Sequence, residues 1–371
     1  VMTMADNKDK KVLNVPALRF PEFTGEWKFV HLKDVAEFQK KRISSDLLNN
    51  NNYISTENIL QNFEGIQYSS SIPTNTNVIE YQKGDILLSN IRPYLKKVWF
   101  SDRKGGCSAD VFVLRGDKCD QHFLYYVIAS DRFINYVMSG VKGVKMPRGD
   151  KSQMEKYAFS IPTNTEQRKI AKFLSMLDER IKLQNKIIEK LETLIKGIIE
   201  TVISSQKPNT LIKNCLECNS STLQESQVAE TGTFPVYGAT GISGYTEAAD
   251  INGESILIIK DGSGVGTVKF VTGEYSYIGT LNSLSAKDGY CLKYIYIALQ
   301  RFNFEPYKTG MAIPHIYFKD YGKAKIFCPT IKEQFAIAKR ISSIEDKVSV
   351  EKRILFYYQA QKSYLLSQML I

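Results

Sequence analysis

The chain has 371 residues, a formal net charge of +10, 43% hydrophobic residues and 11% aromatic residues. This composition supplies enough apolar surface for two or three folded domains and excludes wholesale disorder. The positive charge favours a polyanionic partner, nucleic acid or an anionic membrane surface, over an acidic small substrate. No apolar run is long enough to cross a bilayer, and none follows the basic start as in a secretion signal. We therefore expect a soluble, cytoplasmic protein that does not span a membrane.

The cysteines do not predict metal binding or disulfide bonds. Six cysteines are spread over the chain, and only Cys215 and Cys218 have the CxxC spacing. A structural zinc site needs four ligands, which one CxxC pair and three histidines supply poorly. We expect buried thiols, no metal and no cofactor bound by this chain.

Residues 1–24 are predicted to be an N-terminal tail, and residues 25–160 to form a first domain. Runs of β-branched and aromatic residues, punctuated by Gly, Asn and Asp, predict short strands and loops. The predicted strands are Ile86–Ser89, Val98–Phe100 and Asp110–Leu114, and a short helix is predicted at Phe123–Ala129.

Three short segments of this domain are candidates for binding nucleic acid. A strand end can offer amide, guanidinium and phenol groups to DNA, and a glycine-flanked basic loop suits phosphate neutralisation. The alternatives are that Arg92 pairs internally and that the other charges are solvated surface. The candidates are Lys40, Lys41 and Arg42 after the first strand, Asn90, Arg92 and Tyr94 after the strand Ile86–Ser89, and Lys142, Lys145 and Arg148 in the loop.

A long helix is predicted within residues 161–205, from about Glu166 to Val202. Its apolar residues recur in alternating steps of four and three, which is a heptad pattern broken only at Gln184. Pro208, in the linker Ser204–Asn209, is incompatible with continuation of the helix. The helix–helix seam on this helix consists of Leu174, Leu177, Ile181, Gln184, Ile188 and Leu191.

Residues 206–327 are predicted to form a second domain with the same order of elements. The run Asp261–Gly266 lacks the spacing of a phosphate-binding loop and precedes a strand, so we expect a tight hairpin there. The predicted strands are Ser255–Ile259, Gly266–Val271 and Tyr275–Ile278, followed by a helix at Tyr294–Leu299. The candidate DNA-binding residues of this domain are Lys260, Lys308, His315 and Tyr317.

A second long helix, within residues 328–371, completes a tandem duplication. The block Ile161–Ile181 recurs as Cys328–Val348, with equivalent residues such as Pro162 and Pro329 always 167 positions apart. Such internal similarity indicates two copies of one structural unit. The seam of the second helix consists of Ile341, Ile344, Val348, Glu351 and Leu355.

Helices of this length are not stable unless their apolar stripes are buried, so we expect the two helices to pack on each other. If they pack antiparallel about a pseudo-twofold axis, Gln184 meets Glu351 in a polar contact that fixes their register. The alternative is that both side chains point to water at an irregular crossing.

The chain lacks a Walker loop, an HExxH motif, a nucleophile elbow and a methyltransferase cofactor loop, so no catalytic site is predicted. It resembles the specificity subunits of type I restriction-modification systems. The resemblance rests on the blocks Pro162–Gln167 and Pro329–Gln334, each opening a helix, on Gly84–Ser89 with the Ile91–Pro93 run, and on Phe234–Gly238 followed by Gly241–Gly244.

The resemblance implies an α+β fold in which two β-rich target-recognition domains are separated by two long antiparallel α-helices, in a pseudo-twofold tandem repeat. It implies that each domain binds one half of a bipartite double-stranded DNA site. The helices would set the spacing and dock two methyltransferase subunits, which bind S-adenosylmethionine. Restriction or translocase subunits would be optional further partners.

Two alternatives belong to other functional classes. One is a self-contained DNA-modifying enzyme, which an assay of the purified chain with S-adenosylmethionine would reveal. The other is a coiled-coil adaptor whose domains bind proteins or anionic surfaces. Salt-sensitive binding to a defined split duplex would distinguish DNA recognition from the adaptor.

Overall fold

The structure, a computed structural model, describes residues 13–68, 71–143 and 145–371. The first twelve residues of the predicted tail lie outside this range. The chain divides into a first unit, Val1–Gln184 with Ile354–Ile371, and a second unit, Asn185–Arg353. Both units are mixed and β-rich, and the predicted α+β class is confirmed.

The first unit contains short strands followed by short helices and the beginning of a long helix. Its strands are β1 (Lys28–His31), β2 (Ala36–Phe38), β3 (Arg42–Ser44), β4 (Tyr53–Ile54), β5 (Asn77–Tyr81), β6 (Ile86–Ser89), β7 (Val98–Phe100), β8 (Gly105–Cys107), β9 (Val111–Gly116) and β10 (Ala158–Ile161). Its helices are α1 (Leu32–Val35), α2 (Gln121–Ile128), α3 (Asp131–Met138), α4 (Lys151–Glu155) and α5 (Asn164–Ile199), which continues into the second unit.

Strand β6 is the centre of the first unit. It pairs antiparallel with β7 and β9 in a sheet of order β2-β9-β6-β7. Ile86 and Leu88 pack into the core that contains α2, whereas Leu87 packs on the opposite side with Trp99. Because successive side chains of a strand point to opposite faces, burial on both faces explains the uninterrupted apolar run in the sequence. A second sheet has the order β3-β5-β8-β4, and β1 pairs with β10.

The second unit repeats this order of elements with longer strands in its main sheet. The strands are β11 (Thr210–Leu211), β12 (Leu216–Ser220), β13 (Phe234–Gly238), β14 (Gly241–Thr246), β15 (Ile251–Ile259), β16 (Val268–Tyr277), β17 (Leu281–Ala286) and β18 (Lys325–Ile326). The helices are α6 (Ile212–Cys215), α7 (Leu292–Leu299), α8 (Phe318–Tyr321) and α9 (Ile331–Met369).

Strand β15 holds the central place that β6 holds in the first unit, in a sheet of order β12-β17-β15-β16-β13-β14. The hairpin predicted at Asp261–Gly266 is confirmed, since it joins the antiparallel strands β15 and β16. The prediction of separate strands at Gly266–Val271 and Tyr275–Ile278 was wrong. They form one strand, because the intervening Gly273 pairs with Gly253 in a ladder that continues past the polar residues.

The glutamine of the repeated block fastens each long helix to its own unit. The Gln167 side chain donates to the Pro162 carbonyl at 2.8 Å and accepts from the Asp120 N–H at 2.8 Å. Gln334 makes the equivalent bonds, donating to the Pro329 carbonyl at 2.9 Å and accepting from the Cys291 N–H at 3.0 Å. Both glutamines are buried, so these bonds replace the water that each amide loses.

The long helices pack antiparallel inside each unit. In the first unit Leu174, near the start of α5, shares a core with Leu365 and Met369, near the end of α9. In the second unit Ile199, at the end of α5, shares a core with Ile341, near the start of α9. Every predicted seam residue is buried or half-buried: Leu174, Leu177, Ile181, Gln184, Ile188, Leu191, Ile341, Ile344, Val348, Glu351 and Leu355.

The polar positions on the helices have local partners. Lys362 interrupts the apolar pattern and forms an ion pair with Asp178 at 2.5 Å, and Asp178 also accepts from the Tyr126 hydroxyl at 2.8 Å. Glu351 lies 4.0 Å from Lys347 on its own helix. The predicted contact between Gln184 and Glu351 stays a prediction.

Candidate nucleic-acid interface

At the end of β6, the first unit brings together two candidate segments that are far apart in the sequence. Asn90 donates its N–H to the Asp110 carbonyl at 2.8 Å and accepts from the Gly149 N–H at 3.0 Å. Arg92 donates its N–H to the Pro147 carbonyl at 2.8 Å. The residues after β6 and the basic loop therefore form one surface.

The basic loop is a small hairpin, the first hairpin, defined as Lys142–Arg148. Lys142 and Arg148 exchange two backbone hydrogen bonds, both of 3.0 Å, and Gly143 takes the left-handed conformation at φ 90°. The Lys142 amine pairs with Asp150 at 2.5 Å, and the Arg148 guanidinium lies 3.3 Å from Asp110. The hydrogen bond from Lys142 lowers the pKa of the Asp150 carboxyl.

Arg92 and Lys145 are the cations of this surface that remain unengaged. Both side chains are exposed, and within the described residues neither makes a side-chain hydrogen bond or an ion pair. Arg92 has a φ of 50°, a left-handed conformation that is uncommon for a residue with a side chain. Such strain is concentrated at functional sites. Arg92 and Lys145 are thus available to an anionic ligand.

Asn90 and Tyr94 contribute differently. The Asn90 Oδ1 atom is buried, and among the described atoms it has no hydrogen-bond partner. The Asn90 backbone joins β6 to the hairpin. Tyr94 is half-exposed and offers a phenol at the surface.

The second unit has a second hairpin, defined as Thr309–His315, which is closed and anchored by equivalent backbone hydrogen bonds. Thr309 and His315 exchange backbone hydrogen bonds of 2.9 and 2.7 Å, and Gly310 has a φ of 89°. The hairpin residues are equivalent to those of the first hairpin by the shift of 167 positions. The three remaining framework bonds also recur: Lys260 N–H to Thr280 carbonyl, Ile316 N–H to Lys260 carbonyl, and Gly262 N–H to Pro314 carbonyl.

The side chains on this common framework differ from those of the first unit. His315 stands where the first hairpin has Arg148, and its Nδ1 lies 2.7 Å from Asp261. Lys260 pairs with the same carboxylate at 2.5 Å, and Lys308 pairs with Glu305 at 2.5 Å. Burial raises the pKa of the Asp261 carboxyl, but the hydrogen bonds from His315 and Lys260 outweigh burial, and the net pKa is lowered.

The remaining candidates lie at the margins or on other elements. Lys40 and Lys41 are exposed just before β3, and Arg42 is the first residue of β3, which belongs to the second sheet of the first unit. Lys41 pairs with Glu80 at 2.8 Å, and Arg42 donates to the Asn77 carbonyl at 3.3 Å. Tyr317 is half-exposed just after the second hairpin.

Sequence reasoning missed the acidic partners of these cations. Asp110 precedes β9 and Asp261 follows β15, and neither lies in a charge run that would have marked it. Their pairing with Arg148 and His315 depends on chain segments that meet only in the folded unit. Across the described ranges no helix is apolar and long enough to span a membrane, and no cluster of three His, Cys, Asp or Glu side chains could hold a metal.

Each unit has a sheet with a basic hairpin at the end of its central strand, followed by a long helix. The protein is therefore duplicated, with a candidate polyanion-binding surface in each copy. The family described as type I restriction modification DNA specificity domain matches residues 24–193 and 214–355. The chain belongs to this family.

Known relatives and structures are consistent with that membership. The chain is 27% identical over 124 residues to the type I restriction enzyme EcoDI specificity subunit of Escherichia coli, a match that covers 32% of this chain and 28% of the relative. It is 27% identical over 211 residues to the MjaVIII specificity subunit of Methanocaldococcus jannaschii, covering 55% of this chain and 47% of the relative. The matches thus span less than half of each relative.

The fold is also similar to two solved structures. The type I restriction-modification S subunit from M. genitalium matches with a TM-score of 0.67 and 17% identity, over 96% of this chain and 99% of that one. A chain from a study of assembly and conformational transition of the type I restriction-modification system matches with a TM-score of 0.54 and 18% identity, over 92% and 96%. These likenesses show the fold.

Proposed function

We propose that this chain is the DNA sequence-recognition subunit of a type I restriction-modification complex, acting in the cytoplasm, and that each unit binds one half of a bipartite double-stranded site. The observation that carries the proposal is the recurring framework at the ends of β6 and β15. The same backbone hydrogen bonds form in both units, and the side chains that they position include several cations but differ between the units. Lys and Arg bind phosphates regardless of sequence, while unlike side chains favour different bases.

The two blocks of the DNA site are therefore expected to differ in sequence and to flank an unread spacer. We further propose that the long helices set the spacer length and dock two methyltransferase subunits. Exposed aromatic side chains on α9, at Phe335, Phe356 and Tyr364, supply apolar contact area of the kind that a protein partner buries. Restriction or translocase subunits would join such a complex through these partners.

Sequencing of methylated bases in cells with and without the chain tests the proposal. We expect one split motif that appears only with the chain. Replacement of residues 210–327 by the corresponding segment of another family member should change one block and leave the other intact. Absence of a chain-dependent motif, or a change of both blocks, would contradict the proposal.

Helix length offers a second test. Insertion of whole helical turns between Gln184 and Glu192 should lengthen the spacer and leave both blocks unchanged, because the strand-end surfaces are not altered. A change in either block would argue against a spacer role for the helices.

The chain itself is proposed to be non-catalytic, with S-adenosylmethionine bound by the methyltransferase subunits. Purified chain incubated with labelled S-adenosylmethionine and the split duplex should transfer no methyl groups. Transfer should begin when the methyltransferase subunits are added.

A further inference from the structure

Both basic hairpins carry apolar side chains at their exposed tips. In the first hairpin Met146 is 48% exposed, and in the second Ile313 is 58% exposed. The shift of 167 positions makes these two residues equivalent. Met311, also at the tip of the second hairpin, is fully exposed.

Backbone hydrogen bonds fix the hairpins in a position that keeps these side chains exposed to solvent. Each hairpin is closed by a pair of backbone hydrogen bonds and is anchored through a proline carbonyl, Pro147 in the first unit and Pro314 in the second. A single exposed apolar residue is ordinary on a protein surface. Here the feature recurs at an equivalent position in two units whose neighbouring side chains have diverged, so folding alone does not account for it.

The surrounding charge indicates what covers the tips. Lys145 and Arg148 flank Met146 in the sequence, and the Arg92 N–H bonds to the carbonyl of Pro147, the residue after Met146. In the second unit His315 is equivalent to Arg148, Lys260 accepts a backbone hydrogen bond from Ile316 just after the hairpin, and Lys308 precedes the hairpin. An apolar tip flanked by cations is complementary to a ligand that has anionic groups on both sides and apolar groups between them. A DNA groove has this arrangement, with phosphates along its rims and base edges, including thymine methyl groups, on its floor.

We propose that Met146, and Ile313 together with Met311, enter a DNA groove and contact base edges, one tip for each half-site. The inference rests on the proposed DNA-recognition function and deepens it. The cations neutralise phosphates whatever the sequence, whereas the tips add a non-ionic contribution that depends on the bases.

The test measures binding of the full chain to its split duplex at several salt concentrations. Met146→Ala should weaken binding about tenfold, since partial burial of one methionine side chain is lost. The slope of log affinity against log salt should not change, because no charge is removed. On a duplex whose first-unit block is scrambled, Met146→Ala and wild type should bind equally.

Matched controls separate a tip contact from a general loss of apolar surface. Met176 is the same residue type with nearly the same exposure, 51%, on α5, and Ile242, at 53%, matches Ile313 in the second unit. Met176→Ala and Ile242→Ala should bind DNA as wild type does. Ile313→Ala should weaken binding only when the second-unit block is intact.

Two further variants distinguish loss of the tip contact from a perturbed hairpin. Met146→Leu should retain most of the affinity, and the similarly long but polar Met146→Gln should lose it. If wild type binds the split duplex and Met146→Ala binds as tightly as Met176→Ala, the tip contact is refuted and the proposed function stands. If Met146→Ala weakens binding equally on the scrambled duplex, the tip does not contact bases. If wild type shows no preference for the split duplex, the proposed function itself fails.

Discussion

The two units hold their hairpins with the same backbone hydrogen bonds and equip them with different side chains. In the first unit the closing residue, Arg148, faces Asp110, and in the second the closing residue, His315, faces Asp261. Because the framework uses backbone groups alone, it constrains side-chain identity little. Side-chain chemistry at the strand ends can therefore diverge while the hairpin keeps its position.

The starts of the long helices show the same division between fixed and variable positions. Gln167 and Gln334 make equivalent buried bonds, but the preceding glutamates differ. Glu166 is 1% exposed and accepts two hydrogen bonds from Arg19, at 2.7 and 2.8 Å. Glu333 is exposed and caps its own helix through Thr330.

Among variants that test the difference between the two units, Glu166→Ala is expected to have the largest effect. Removing one partner of a buried ion pair leaves Arg19 uncompensated and should cost the first unit about 3 kcal/mol of stability. Glu333→Ala removes an exposed cap and should cost at most about 1 kcal/mol. Both tryptophans, Trp27 and Trp99, belong to the first unit, so denaturant unfolding followed by tryptophan fluorescence reports on that unit.

The midpoint of that fluorescence transition should fall in Glu166→Ala and stay constant in Glu333→Ala. Arg19→Ala is a matched control that breaks the same pair from the other side. Equal midpoints for Glu166→Ala and wild type would mean that the pair does not stabilise the unit.

Charge removal from the hairpins should produce the next largest effect. Neutralising Lys142, Lys145 and Arg148 together should lower the slope of log affinity against log salt by roughly 2–3, since each phosphate contact contributes about 0.9. Neutralising Lys308, the lysine that precedes the second hairpin, should lower it by roughly 1, because one phosphate contact is removed. Similar reductions in both units would contradict the expected difference in charge between the two surfaces. An unchanged slope would show that these cations do not contact DNA.

The sequence predicts the duplicated parts of the molecule well because they depend on local periodicity. The heptad spacing predicts a helix from Glu166 to Val202, and α5 spans Asn164–Ile199 with a π-helical turn after it at Glu200–Ser204. The apolar run Ile86–Ser89 predicts a buried strand that the structure confirms. In these segments a single pattern and the fold agree.

Features that depend on distant pairing were not predictable in the same way. A glycine such as Gly273 usually indicates the end of a strand, yet the ladder between β15 and β16 continues through Gly273 because Gly253 lies opposite it. The Arg19–Glu166 pair joins the tail to a helix start across most of the first unit's sequence. The contact between Asn90 and the first hairpin likewise depends on backbone hydrogen bonds that cannot be predicted from sequence spacing.

Removing the acidic partners should have a smaller and opposite effect on DNA binding. Asp110→Asn would release Arg148, and Asp261→Asn would release His315 and Lys260, without changing side-chain size. Partly exposed pairs of this kind are worth about 0.2–1 kcal/mol, so affinity should rise two- to fivefold. Salt titrations of both variants on the split duplex would check this. Weaker binding in either variant would show that the carboxylate supports the interface and does not compete with DNA.

The smallest effect is expected in the pH dependence of the second unit. The pKa of Asp261 is lower in the folded state than in the unfolded state, where it is about 3.9. The ionised carboxylate therefore stabilises the fold fully above the unfolded-state pKa. This stabilisation is lost as the pH falls through the folded-state pKa. Between pH 5 and pH 3 the melting temperature of wild type should therefore fall about 2 °C further than that of Asp261→Asn, measured by calorimetry. Asp110, which lies opposite Arg148, plays the same part in the first unit, and Asp110→Asn provides the comparison. Parallel pH profiles for wild type and Asp261→Asn would mean that the contacts from His315 and Lys260 leave the stability of the second unit unchanged.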